Sequence, residues 1–372
     1  MVFKYTNKLT SIIVGFKVTN NVHNFILEKI NTLPLAQVIL PTQAPESFPF
    51  SVDLSTSAFA IDSNCQCDES LMVDSQQTNT VTNVNSRIEL VVFSDISLAL
   101  LSQLTQTCDI SLTALTAINH RNNLISYRFA ITTDELNLSR QKLISFAEKN
   151  NIEAAILFNA PKLDVPGLLV MDMDSTTIKI ECIDEIAILA GVGEQVSAVT
   201  ELAMQGKLDF SESLYQRVAT LENASEQILA DVAKNIPLME GLETLITELK
   251  KHQWRVAIAS GGFTYFADHL KNMLSLDAAY ANTLEIIDGK LTGKVLGNVV
   301  DAQVKADCLL KLSDEYNIPH QQTVAMGDGA NDLVMMEAAN LGVAFHAKSI
   351  VKAKADTAIN TSGLDCMIHW LA

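Results

Sequence analysis

Three short apolar runs, each ending abruptly in polar or glycine residues, constrain this chain more than any other feature. Gly167-Leu168-Leu169-Val170-Met171 runs into Asp172-Met173-Asp174-Ser175-Thr176. Val256-Ala257-Ile258-Ala259 runs into Ser260-Gly261-Gly262. Thr323-Val324-Ala325-Met326 runs into Gly327-Asp328-Gly329-Ala330-Asn331-Asp332. A near-continuous apolar run of this length is the pattern of a strand covered on both faces. A further buried strand is expected at residues 343–345, and helical patterns at 242–251, 263–274, 302–316 and 332–339 separate the runs. Alternation of this kind specifies an α/β fold with a doubly wound parallel sheet. In such a sheet, ligands bind beyond the carboxyl ends of the strands, so the three motifs converge despite their separation along the chain.

The rest of the chain divides around that core. Residues 166–182 and 240–372 form the expected core. Residues 183–239, helical in pattern throughout, are too long for a simple crossover and are expected to be an inserted helical cap. Residues 62–86 are polar and rich in Ser, Thr, Gln and Asn, which predicts a linker. Residues 1–61 stay unassigned apart from strand-like stretches at 11–16 and 36–40. Residues 87–160 predict an α+β domain in the order βαββαβ, with strands at 88–93, 110–117, 125–131 and 152–158. Its helices are expected at 98–104 and from an N-cap at Thr133 to residue 150. This domain resembles the ACT-like modules that precede some enzymes of amino-acid metabolism. A regulatory ligand site and a packing or homodimer contact through the N-terminal region are both open at this point.

Composition sets the class of partner. The 372-residue chain carries a formal net charge of -17, which repels nucleic acid, and no basic patch offsets it. An anionic small substrate therefore needs a local cluster of cations. No run of 18 or more apolar residues predicts a membrane span, and residues 1–11 lack the apolar core of a signal peptide. Six scattered cysteines argue for a reducing compartment and against a disulfide framework, and Cys65 and Cys67 lack the second ligand pair of a zinc site. The expected location is cytoplasmic.

The chemistry follows from what the three motifs hold. Transfer of a phosphoryl group requires an in-line nucleophile, a proton donor for the leaving oxygen, a cation, and donors for the phosphoryl oxygens. Asp172, directly after its strand, is the candidate nucleophile, and Asp174 the candidate acid and base. Asp328 adds a third carboxylate. An all-oxygen set of this kind suits Mg²⁺, and no His or Cys is placed to select zinc. Ser260 with the amides of Gly261 and Gly262, expected to open a helix, form a phosphate cradle. Lys305 is placed to neutralise charge in the transition state, and Asn331 and Asp332 to orient Lys305 or metal-bound water. Each motif alone is an ordinary turn; their combination, each after an apolar run, is what points to catalysis.

On these motifs the chain from about residue 166 onward resembles the haloacid-dehalogenase-like hydrolases and, within them, the phosphoserine phosphatases. The narrower likeness rests on Asp172-Met173-Asp174-Ser175-Thr176, Glu181, the cap stretch from Gly206-Lys207-Leu208-Asp209-Phe210 to Arg217-Val218, and Asp288-Gly289-Lys290-Leu291-Thr292-Gly293. The resemblance implies a phospho-Asp172 intermediate, with Mg²⁺ held by Asp172, the carbonyl of Asp174, and Asp328. It implies phosphate contacts from Ser260, Gly261 and Lys305 with Asn331 nearby, and a substrate whose ammonium meets Glu181 and whose carboxylate meets Arg217. Phe210 would cover the short carbon chain. Without the resemblance, Glu181 reads first as an acid at a helix start and Arg217 as a surface residue paired with Glu212 or Glu222. A phosphatase or phosphotransferase for another small ester, such as phosphohomoserine, is the alternative within the same superfamily. A ligand-sensing protein whose N-terminal module is the working part is the alternative outside it.

Overall fold

The computed structural model of the chain describes residues 48–53, 58–61, 87–93, 95–205 and 207–372. The expected strands at 11–16 and 36–40, the linker at 62–86, Cys65, Cys67 and Gly206 lie outside the described residues. The chain separates into two compact units, one ending at Asn159 and the other beginning at Ala160.

The first unit contains β1 (Phe48–Asp53), β2 (Ala58–Ile61), β3 (Ile88–Phe93), α1 (Leu98–Cys108), β4 (Ser111–Arg121), β5 (Leu124–Thr132), α2 (Leu136–Asn150) and β6 (Ala154–Phe158). From β3 onward this is the expected βαββαβ order. The sheet runs β2-β1-β4-β5-β3-β6, with every neighbouring pair antiparallel. Asn122 and Asn123, with φ of 48° and 60°, close the β4–β5 hairpin, a left-handed pair that asparagine adopts at low cost. Leu90 and Val92 of β3, Leu101 and Leu104 of α1, Tyr127 and Phe129 of β5, and Leu143 of α2 pack into one core. Ser97 caps α1 by accepting from Leu100 N at 3.2 Å. Thr133 does not cap α2 as expected. Its hydroxyl accepts from Glu135 N at 3.3 Å and meets Ser139 Oγ at 2.7 Å, so the helix starts later, at Leu136.

The second unit holds β7 (Leu168–Met171), then four consecutive helices: α3 (Cys182–Ala190), α4 (Gly193–Met204), α5 (Phe210–Ala219) and α6 (Gln227–Ala233). These are the helical insertion expected at 183–239. The core resumes with α7 (Leu242–Lys251), β8 (Arg255–Phe263), α8 (Thr264–Leu274), β9 (Ala278–Ile287), β10 (Lys290–Leu296) and α9 (Ala302–Glu315). It ends with β11 (Thr323–Gly327), α10 (Leu333–Ala338), β12 (Leu341–Phe345), α11 (Ser349–Lys352), β13 (Thr357–Ile359) and α12 (Met367–Trp370). No helix among the described residues is long and apolar enough to cross a membrane.

The seven strands lie in the order β10-β9-β8-β7-β11-β12-β13 and are parallel except for β10. The first strand of the unit is therefore central. The chain builds outward from β7 through β8 on one side and through β11 on the other, so the sheet's switch point falls among these three strands. Every residue of β7 and β11 is buried, which accounts for their unbroken apolar sequence.

Two features of this second unit depart from expectation. The hairpin of β9 and β10 was not predicted, although Asp288 and Gly289 turn it with φ of 49° and 74°, a combination that Asp-Gly supplies readily. The hairpin carries the cap: Asn223 N donates to Leu291 O, and Leu291 N to Ala224 O, each at 2.9 Å. Secondly, Ser260-Gly261-Gly262 does not open a helix. It continues β8, with a shift of register against β9 between Ala259 and Phe263, and α8 begins only at Thr264. Asn282 Nδ2 donates to Gly261 O at 2.8 Å and Gly262 N donates to Ser260 Oγ at 2.9 Å, which holds the stretch extended.

Candidate active site

The three central strands end around one cavity of about 230 Å³. Asp172, Asp174, Glu181, Phe210, Arg217, Ser260, Gly261, Gly262, Asp328 and Asn331 all line it. Of the residues singled out in the sequence, only Lys305 and Asp332 lie behind that lining, where both are completely buried.

Asp172 follows β7 without slack: its amide donates to Met326 O of β11 at 2.9 Å, and the buried Thr177 hydroxyl donates to its carbonyl. Beneath its carboxylate, Lys305 Nζ stands 2.9 Å from Asp172 Oδ1 and donates to Asp332 Oδ1 at 2.7 Å. Asp332 Oδ2 in turn accepts from Gly329 N at 2.9 Å. Burial opposes the charge on Lys305, but the two carboxylates outweigh it and hold the ammonium above the usual lysine range. Such a lysine stays charged at any working pH. The packing under this network leaves no slack either, because a Cβ on Gly327 would stand 2.3 Å from the Asp332 carboxylate.

Asp172, Asp328 and Asp332 each bring one carboxylate oxygen to within 4.8 Å of the others. Burial first, then the charge of Asp172, pushes Asp328 up to about 7. A cation between the carboxylates would relieve exactly this repulsion, and all-oxygen donors fit a hard divalent ion. Both oxygens of Asp332 are engaged by Lys305 and Gly329, whereas Asp172 meets Lys305 through Oδ1 and Asp328 accepts from Thr176 Oγ1 through Oδ1 at 3.3 Å, which leaves the second oxygen of each to face a cation.

Asp174 points its Oδ1 at Cys182 N, 3.2 Å away. Its burial, with the charges of Glu181 and Asp172, raises it to about 8, so it carries a proton near neutrality. The adjoining Ser175 has a left-handed φ of 57°. Its hydroxyl donates to Glu181 Oε1 at 2.7 Å.

The cap closes the opposite wall. Asp209 and Glu212 form a reciprocal capping box at the start of α5, Glu212 N donating to Asp209 Oδ1 at 2.8 Å and Asp209 N to Glu212 Oε2 at 3.1 Å. That box commits Glu212 elsewhere and places Phe210 in the first turn, over β8. A Cβ on Gly261 would stand 2.4 Å from Phe210 Cζ, so glycine is what lets the ring approach the core. Arg217, in the last turn of α5, faces the cavity. Burial lowers its pKa, against the opposing pull of Asp184, Glu181 and Asp174. The surface pairing with Glu212 or Glu222 is absent from the ion pairs among the described residues.

Sequence reasoning missed Ile183, Leu214, Phe263 and Gly329 in the lining. Ile183 and Leu214 occupy ordinary apolar positions of amphipathic helices, and only their placement over the sheet turns them toward a ligand.

The family model of the haloacid dehalogenase-like hydrolases matches residues 167–340. The phosphoserine phosphatase of Vibrio cholerae is 56% identical over 238 residues, which cover 64% of this chain and 72% of that protein. The crystal structure of a probable phosphoserine phosphatase from Vibrio cholerae, unliganded, superposes with a TM-score of 0.64 at 46% identity, covering 77% of this chain and 86% of that one. A substrate-bound phosphoserine phosphatase complex gives a TM-score of 0.53 at 42% identity, over 56% of this chain and 99% of that one.

Proposed function

The chain belongs to the phosphoserine phosphatase family of the haloacid dehalogenase-like hydrolases, and we propose that it hydrolyses L-phosphoserine to L-serine and phosphate, the closing step of serine synthesis. The observation that carries this reading is a single small cavity combining two kinds of wall. One is a carboxylate pinned by a buried lysine; the other is a cap face bearing Arg217 and Phe210, with Glu181 between them. The first suits a phosphoryl group and the second a short amino acid.

Asp172 is the nucleophile. Its carboxylate oxygen attacks phosphorus in line, the ester P–O bond breaks, and the serine alkoxide leaves with the proton of Asp174. Water then attacks the phospho-Asp172, giving its proton to Asp174 and releasing phosphate. Ser260 and the amide of Gly261 line the cavity where they can donate to phosphoryl oxygens, as can the amide side chain of Asn331, while the Gly262 amide holds the Ser260 hydroxyl in place. Lys305 balances charge from below, with Asp332 holding it in place. Asp172, Asp328 and the main-chain carbonyl of Asp174 are the residues we assign to Mg²⁺, which, when bound, supplies further neutralisation of the phosphoryl charge. Glu181 complements the substrate ammonium and Arg217 forks onto its carboxylate.

The direct test is phosphate release from L-phosphoserine in a cytoplasm-like buffer, with Mg²⁺ supplied and with EDTA in excess. Release that requires Mg²⁺ is the expected result, and release unchanged by EDTA removes the metal assignment. A panel including phosphohomoserine, with and without an alcohol acceptor, separates a phosphatase of this specificity from the alternative phosphatase or phosphotransferase. Arg217→Ala is expected to raise KM for L-phosphoserine about 30-fold, the scale of a charge-assisted bond to carboxylate. It leaves KM for p-nitrophenyl phosphate, which has no carboxylate, within about twofold. Equal effects on both substrates would mean that Arg217 does not meet the carboxylate. Calorimetry of the full chain with free serine tests whether the β3–β6 unit adds a regulatory site, and sedimentation whether the chain is a homodimer.

A further inference from the structure

We infer that Ser175 is a positioning residue for substrate specificity, holding the Glu181 carboxylate in the cavity where it meets the ammonium of the amino-acid substrate. This deepens the proposed function and rests on it. Two observations carry the inference. Glu181 is the residue flanking the N-terminus of α3, a place where a carboxylate is favoured by the helix dipole and has the helix's own first amides within reach as donors. It makes no such bond. Its Oε1 instead accepts from Ser175 Oγ at 2.7 Å, and the side chain lines the cavity.

The second observation is the backbone of Ser175 itself. Its φ of 57° lies in the left-handed region, where glycine would be accommodated more readily than any residue with a Cβ. A serine at this position therefore carries a backbone cost, and its hydroxyl is what it contributes in exchange. Its amide donates to Ile180 O at 3.3 Å, closing the loop so that the hydroxyl and the carboxylate meet. The loop that holds Asp172 and Asp174 is thus tied to the residue facing the ammonium.

The backbone cost also supplies the test. Ser175→Gly removes the hydroxyl and relieves the left-handed conformation; Ser175→Ala removes the hydroxyl and keeps the cost. Both are expected to raise KM for L-phosphoserine about fivefold, the scale of one hydrogen bond to a charged partner, while kcat/KM for p-nitrophenyl phosphate changes by less than about twofold. In a Glu181→Gln background the Ser175→Gly change is expected to add less than about twofold on L-phosphoserine, because the negative charge that Ser175 positions against the ammonium is gone. Equal losses on both substrates, a loss confined to the alanine variant, or an undiminished effect in the Glu181→Gln background would each overturn the inference. Failure of the underlying function is seen separately, as a wild-type protein with no preference for L-phosphoserine over p-nitrophenyl phosphate.

Discussion

Asp172→Asn is expected to lower kcat on L-phosphoserine by at least about 10⁴-fold while the protein remains folded. The amide has nearly the volume of the carboxylate, so the packing around this buried position is kept. What it loses is the anionic oxygen to which we assign the bond to phosphorus. The loss extends to p-nitrophenyl phosphate, because a good leaving group relieves the demand on Asp174 but not the need for a nucleophile. Neutralising Asp172 removes a like-charge contact with Asp328 when no cation is bound, but it also removes one of the two carboxylates that face the buried Lys305. Activity absent on both substrates, with a cooperative thermal unfolding transition kept in EDTA, is the expected pair of results. Turnover retained within about tenfold would rule out covalent catalysis through Asp172.

The distribution of what was legible in the sequence has a physical cause. Asp172, Ser260 and Asp328 were identifiable because each stands directly after, or within two residues of, a buried apolar run of a central strand. Convergence followed from topology, since β8 and β11 flank β7. Signals that depend on local backbone detail fared less well. Ser260-Gly261-Gly262 has the composition of a helix-opening turn, and the tertiary bond that helps to keep it extended comes from Asn282, a residue of the undetected β9. The β9–β10 hairpin went unseen because its strands lack alternation, although the Asp288-Gly289 turn was in view. Residues whose role depends on tertiary placement, such as Ile183, Leu214 and Ser175, carry no signature at all. Ser175 stood within a named motif without any reason to assign it a task until its bond to Glu181 was seen.

The buried lysine offers the most demanding test of the electrostatic argument. Lys305→Met is expected to lower kcat by about 10³-fold, the scale of losing a preorganised charge directly beneath the proposed nucleophile. It is also expected to cost about 3 kcal/mol of stability at neutral pH, because removing one partner of a buried ionic network leaves the others uncompensated. Lys305 is completely inaccessible and bridges Asp172 and Asp332, so methionine can fill the space but not answer two carboxylates. The sign of the pH dependence follows. Carboxylates left facing one another bind protons more tightly in the folded than in the unfolded chain. The destabilisation is therefore full above their folded-state titration and shrinks as the pH falls and the pair takes up a proton. Unfolding of wild type and variant, compared in EDTA at pH 8 and at pH 5, should show the gap narrowing at the lower pH. Mg²⁺ at pH 8 should narrow it as well by restoring positive charge to the cluster. A gap that is the same at both pH values would mean that Lys305 stabilises the fold through packing alone. The charge balance beneath Asp172 would then need another source.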